Sequence, residues 1–211
     1  MKVLILGDSH SRCFNFYKSA NTTFDLVTVT GCSVQGLVNE NSKTNARQTF
    51  INALQHSKKY DKVICYFGEV DCNSTIWYYS KKYDVRLKEQ FFRSIKNYSK
   101  FLKEVEEYFE PKNIFVLGPI LPIVSSADRY SQKSIRRNVS MTKSSRTRLT
   151  NQFNKNLIKL CNKKRYNYFS VNDILLDTDT KLIKEEFVRS KANHHLNKKL
   201  AANLWKKVLP I

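Results

Sequence analysis

Ser9 stands where an apolar run, Lys2-Val-Leu-Ile-Leu-Gly7, gives way to a helix start. A hydroxyl at such a junction is presented at the rim of a sheet, and the backbone N–H groups of the helix N-terminus favour negative charge there. Acyl transfer needs that combination: an accessible Oγ, a donor for the developing oxyanion, and a base. The chain offers four histidines as bases, His10, His56, His194 and His195. His56 falls inside a charged helical stretch and reads as solvated. His194 and His195 lie in a loop before the last helix, on the side of a wound sheet to which Ser9 also belongs.

Each of these residues has a plainer reading. Asp8 and Ser9 are good helix caps in their own right. The His pair could be ordinary loop residues. Cys32 or Cys72 as nucleophile is the weaker alternative, since each fits a space-filling role near the rim. A metal site built from Asp8, His10 and the His pair is not expected, because no ligand spacing supports it, and no cofactor is expected either. Trp77, Tyr78 and Tyr79 read equally as a sugar-stacking wall or as a core lid.

Positioning these groups requires a scaffold, and the hydrophobic pattern supplies one. Apolar runs at Lys2–Gly7, Phe24–Thr30, Asp61–Phe67, Asn113–Leu117 and Tyr166–Val171 read as strands. Between and after them, helices are expected from Ser9 to Tyr17, Thr44 to Ser57, Asp84 to Phe109, Thr142 to Lys163 and Asn197 to Val208. In the longest, Phe91, Phe92, Ile95, Tyr98, Phe101, Leu102, Val105, Tyr108 and Phe109 form one stripe. Strands apolar throughout, alternating with helices, imply a parallel sheet covered on both faces. The expectation is a single α/β domain over residues 1–211, a three-layer α/β/α sandwich with a five-stranded parallel sheet in the order 2-1-3-4-5. Functional groups of such sheets collect at the carboxyl ends of the strands. The long polar segment from Pro119 to Ser140, with Arg129, Arg136 and Arg137, is expected to border the site.

Composition narrows the setting. The chain has 211 residues with 37 Lys and Arg against 18 Asp and Glu, a net charge of +19. A hydrophobic content of 41% excludes wholesale disorder. No run approaches the length of a membrane span, and the first strand is too short for a secretory signal, so a cytoplasmic protein is expected. The five cysteines, Cys13, Cys32, Cys65, Cys72 and Cys161, contain no CxxC and read as reduced thiols. The basic residues are spread out rather than gathered into a tail, so most read as solvated helix faces. An anionic partner remains the natural complement of the charge.

The segments ILGDSHSR, GCSVQGL, YFGEVDCN and HHLN, in that order along the whole chain, resemble the SGNH/GDSL hydrolase superfamily. The resemblance implies a flavodoxin-like α/β/α fold and ester chemistry, hydrolysis or transfer of O-acyl groups. The third block is similar to a variant found in polysaccharide-modifying members, which implies an acylated, most simply O-acetylated, carbohydrate as substrate; the net charge and Arg129, Arg136 and Arg137 add the expectation that it is acidic. By the same resemblance, Ser9 is the nucleophile and one oxyanion donor, Gly31 the second donor with Gly36 as fallback, and His195 the base with His194 next. Asp8, His10, Asn73 and His194 are then expected around the substrate. Two positions depart from the family pattern. Val70 stands where an oxyanion Asn is usual, with Asn73 the nearest amide. Ala192, or Lys191 if His194 is the base, stands where the family has an Asp. A Ser9–His195 dyad is then expected, with a backbone carbonyl of residues 190–194 holding the ring, unless Asp71 or one of Asp173, Asp177 and Asp179 supplies the carboxylate; Asp71 could equally cap the loop. The competing reading is a catalytically weak module of the same fold that binds nucleic acid or an acidic glycan.

Overall fold

The computed structural model of the protein describes residues 1–123, 141–190 and 193–211. Five strands, β1 (Lys2–Gly7), β2 (Thr23–Thr28), β3 (Lys62–Tyr66), β4 (Ile114–Leu117) and β5 (Asn167–Phe169), form one sheet. Its order is β2-β1-β3-β4-β5, and every neighbouring pair is parallel. This is the expected α/β topology, with the order reversing at β1. Parallel pairing sets Gly7 opposite Thr28 on one side and Tyr66 on the other, so the residues that follow the three strands emerge together.

Alternation along the strands divides the core into two layers. Leu4, Leu6, Val63, Cys65, Ile114 and Val116 face one cluster. It is completed by side chains of α1 (Ala46–Gln55), α3 (Leu87–Val105) and α4 (Lys143–Lys164). Val3, Ile5, Ile64, Tyr66, Phe115 and Leu117 face the other. There Phe14 and Trp205 stack at 6.4 Å between ring centres, joining the segment after β1 to the closing helix, which we call α6 (Lys198–Val208). The short helices α2 (Ile76–Lys82) and α5 (Asn172–Leu175) complete the α-helices among the described residues.

Three details depart from the sequence expectation. The segment after β1, Ser9–Phe16, is a 3₁₀ helix rather than an α-helix. A Cβ on Gly7 would sit 2.5 Å from the Ser11 Cβ, so this tight turn packs directly on the strand end. The helix expected from Asp84 to Phe109 is α3 alone, beginning at Leu87. Within it Phe91, Tyr98, Phe101, Leu102 and Val105 are buried while Phe92 is exposed. Finally, an antiparallel pair, β6 (Val188–Ser190) and β7 (Asn193–Leu196), carries the two histidines that read as loop residues. Arg129, Arg136 and Arg137, expected to border the site, lie outside the described residues, as do Lys191 and Ala192.

Candidate active site

Asp8 ends the first strand and caps the 3₁₀ helix. Its Oδ1 accepts from the His10 N–H at 2.9 Å, a standard way to satisfy a helix-start donor. Ser9 is therefore the first residue of that helix, where backbone N–H groups have no intrahelical acceptor. Its Oγ meets the His195 Nε2 at 2.8 Å.

The other side of the His195 ring fixes the proton. Nδ1 lies 3.0 Å from the Asn193 Oδ1, and the His195 backbone N–H donates to the same oxygen at 2.9 Å. A backbone N–H can only donate, so the amide group at that point is the oxygen. Nδ1 must then carry the ring proton, and Nε2 presents its lone pair to the Ser9 hydroxyl. The Asn193 side chain turns back onto the backbone N–H two residues on, and this carries its oxygen to the His195 ring. The acceptor behind the His195 ring is thus a neutral side-chain amide.

Asp71 does not stand behind the histidine. Residues Asp71–Thr75 form a π-helical turn after β3, and the Asp71 Oδ2 accepts from the Val34 N–H at 2.8 Å. Its carboxylate ties the loop after β2 to the loop after β3. Burial raises its pKa from 3.8 to about 7, with the nearby Asp8 and Glu69 acting in the same direction and the Val34 hydrogen bond opposing. The folded state holds this proton more tightly than the unfolded chain. Asp71 therefore makes stability fall as pH rises from about 4 to about 7, with no further change above. Asp71→Asn keeps the acceptor for Val34 and has no charge to desolvate. It is expected to flatten that limb and to be the more stable protein near pH 8, by up to about 4 kcal/mol. Urea midpoints of both proteins across this range check the sign; a variant less stable at every pH would contradict it.

Asn73 is buried, and its Nδ2 donates to the Glu69 Oε1 at 2.7 Å, so its amide serves Glu69 in this structure. The Glu69 Oε2 lies 3.3 Å from the His10 Nε2. The His10 ring in turn lies 4.6 Å from the His195 ring and 5.4 Å from the His194 ring, centre to centre. Asp8, Ser9, His10 and His194 are all buried against this cluster.

Gly31 follows β2 with φ +73° and nothing within 4 Å of the place a Cβ would take. The fallback donor, the Gly36 N–H, is already engaged by Ser33, through its carbonyl at 2.9 Å and its Oγ at 3.3 Å. Cys32 and Cys72 are fully buried, and burial raises both thiols well above their ordinary value. Neither forms the thiolate a nucleophile needs. His56 is exposed in the turn after α1. Of the aromatic group, Trp77 donates its Nε1–H to the Cys72 carbonyl at 2.8 Å and packs on the core.

Two spaces adjoin these residues. A cleft of about 10 Å³, lined by Ser9, His10, Tyr66, Ile120, His195 and Lys198 among others, has room for a single water molecule. A groove of about 580 Å³ begins at Gly31 and Val70, past the ends of the strands flanking β1. Its walls include Ser33, Gln35, Asn39, Ser42 and Tyr79, and among the described residues Lys43 is its one charged lining residue.

No family model matches the chain, and no curated protein matches its sequence. Solved structures do match. An acetyl xylan esterase, AlAXEase, superposes with TM-score 0.59 at 12% identity, covering 99% of this chain and 100% of that one. The fold is that of the SGNH/GDSL hydrolases. A lipase/acylhydrolase from Enterococcus faecalis matches at TM-score 0.58 and 10% identity, over 100% of this chain and 98% of its own. An extracellular lipase from Streptomyces rimosus matches at TM-score 0.56 and 10% identity, over 98% and 99%.

Proposed function

We propose that the protein is a serine esterase or acyl-transfer enzyme acting on O-acyl groups, most simply O-acetyl, of a carbohydrate. The observation that carries this reading is the hydrogen-bonded series Ser9 Oγ, His195, Asn193, with the ring proton fixed on Nδ1. In the first step Ser9 Oγ bonds to the acyl carbon while its proton passes to His195 Nε2. The Ser9 N–H and the Gly31 N–H receive the oxyanion. The bond to the sugar oxygen then breaks as that oxygen takes the proton from Nε2, leaving an acyl-serine. Water or another hydroxyl then gives its proton to Nε2 as it bonds to the acyl carbon, and the bond to Ser9 Oγ breaks as Oγ takes that proton back. Hydrolase and transferase differ only in this second nucleophile.

The carbohydrate rests on the groove. Amides, hydroxyls and one aromatic ring suit a neutral polyol better than an acyl chain or a polyanion. The name of one structural relative, an acetyl xylan esterase, points the same way. The expected result is acetate release from an O-acetylated oligosaccharide, with longer acyl esters of p-nitrophenol turned over poorly. Tyr79→Ala should raise KM for the oligosaccharide about tenfold and KM for p-nitrophenyl acetate by less. Equal loss on both substrates would mean that the carbohydrate does not lie in the groove. Salt-dependent retention of nucleic acid with no ester turnover would favour the binding-module reading instead.

A further inference from the structure

The sequence spacing of His10, His194 and His195 holds no metal-ligand pattern, yet the fold gathers them. One ring nitrogen from each lies within 4.8 Å of the others. His194 and His195 are consecutive, and in a regular strand they would diverge. Their ring centres are only 3.8 Å apart, beside a register irregularity between Val188 and Ser190 of the partner strand. Bulges of this kind re-aim side chains. His10 enters from the opposite side, on the 3₁₀ helix, with its own ring 4.6 Å from that of His195.

We propose that His10, His194 and His195 form a binding site for a zinc-class divalent cation that, when filled, takes the His195 Nε2 lone pair from Ser9. Three neutral imidazoles and one open position are a common donor set for Zn²⁺. Nitrogens bound at ~2.1 Å to a tetrahedral ion stand about 3.4 Å apart, so the trio closes by at most about 1.4 Å, within the reach of ring rotations. Supporting groups are present. The Glu69 carboxylate lies against the His10 ring and is itself held by Asn73. A carboxylate on one imidazole nitrogen orients the ring and makes the other nitrogen a better ligand. The Asn193 Oδ1 does the same behind His195. The ion and the Ser9 proton compete for a single lone pair, so a filled site lacks its base. That consequence, unlike the binding itself, rests on the proposed role of Ser9 and His195.

The test is a titration of the full chain with Co²⁺, followed by displacement with Zn²⁺. Saturable uptake of one equivalent is expected, with the visible absorption of a four-coordinate nitrogen-rich site. His10→Gln and His194→Gln should each weaken uptake at least about tenfold, Glu69→Gln by about 10- to 100-fold, and Ser9→Ala should leave it in place. Thermal melts identify any variant that fails to fold, and either His variant suffices. No saturable uptake by the wild-type chain, or uptake unchanged in a folded His variant, overturns the site. Because uptake does not depend on turnover, a protein that binds cobalt and hydrolyses no ester refutes the esterase and keeps the metal site. Where turnover is present, Zn²⁺ should abolish it and a chelator restore it. Full activity of the zinc-loaded protein would overturn the competition for Nε2.

Discussion

Ser9→Ala is expected to lower kcat for ester turnover by about 10⁴-fold or more, with the fold unchanged. The variant removes one hydroxyl at a position only 5% exposed and disturbs no cap, because the capping contact belongs to Asp8. Urea unfolding should therefore move by less than about 1 kcal/mol. His195→Gln should lose a similar factor, and the double variant little more, since the two groups act as one unit. Losses that multiply in the double variant would mean that the 2.8 Å contact is not the reacting pair.

The second large effect concerns what stands behind the base. A neutral amide at Nδ1 fixes the tautomer but does little for the imidazolium that forms in the transition state. In the serine-protease template, exchanging the carboxylate for an amide costs about 10⁴ in kcat, largely through the wrong tautomer. Here the backbone N–H of His195 already orients the amide oxygen, so that part of the loss is avoided. Asn193→Asp should then raise kcat by about 10- to 100-fold through charge stabilisation alone. A carboxylate there also favours protonated His195, so the acid limb of the kcat profile should move to higher pH. Asn193→Ala should lower kcat by about 100-fold with KM little changed. If neither variant alters kcat, the ring is oriented by something other than Asn193.

Much of this arrangement is legible in the sequence, for identifiable reasons. Strands apolar on both faces announce the parallel sheet, and a Gly-Asp-Ser at the end of the first announces the rim. The scarcity of histidines narrows the base to His194 or His195, and the choice of His195 comes from the family resemblance. Asn193 does not stand out in the sequence, because the position that departs from the family pattern is its neighbour Ala192. Its signal is present: Asn side chains readily turn back onto the backbone two residues on. The cluster of His10 with Glu69 and Asn73 spans about sixty residues and depends on parallel pairing of β1 with β3. No local pattern reports such a contact. The π-turn that aims Asp71 at Val34 is likewise set by packing between two loops, and so the carboxylate expected near the base serves the scaffold instead.

On the proposed mechanism, Ser9 is a nucleophile activated by His195. Fluorophosphonate labelling followed by intact-mass and peptide mapping reads this without any choice of substrate. One adduct is predicted, on the peptide containing Ser9, absent in Ser9→Ala and slowed at least about 100-fold in His195→Gln. A folded wild-type protein that takes up no label, or that carries it on any residue other than Ser9, would contradict the claim.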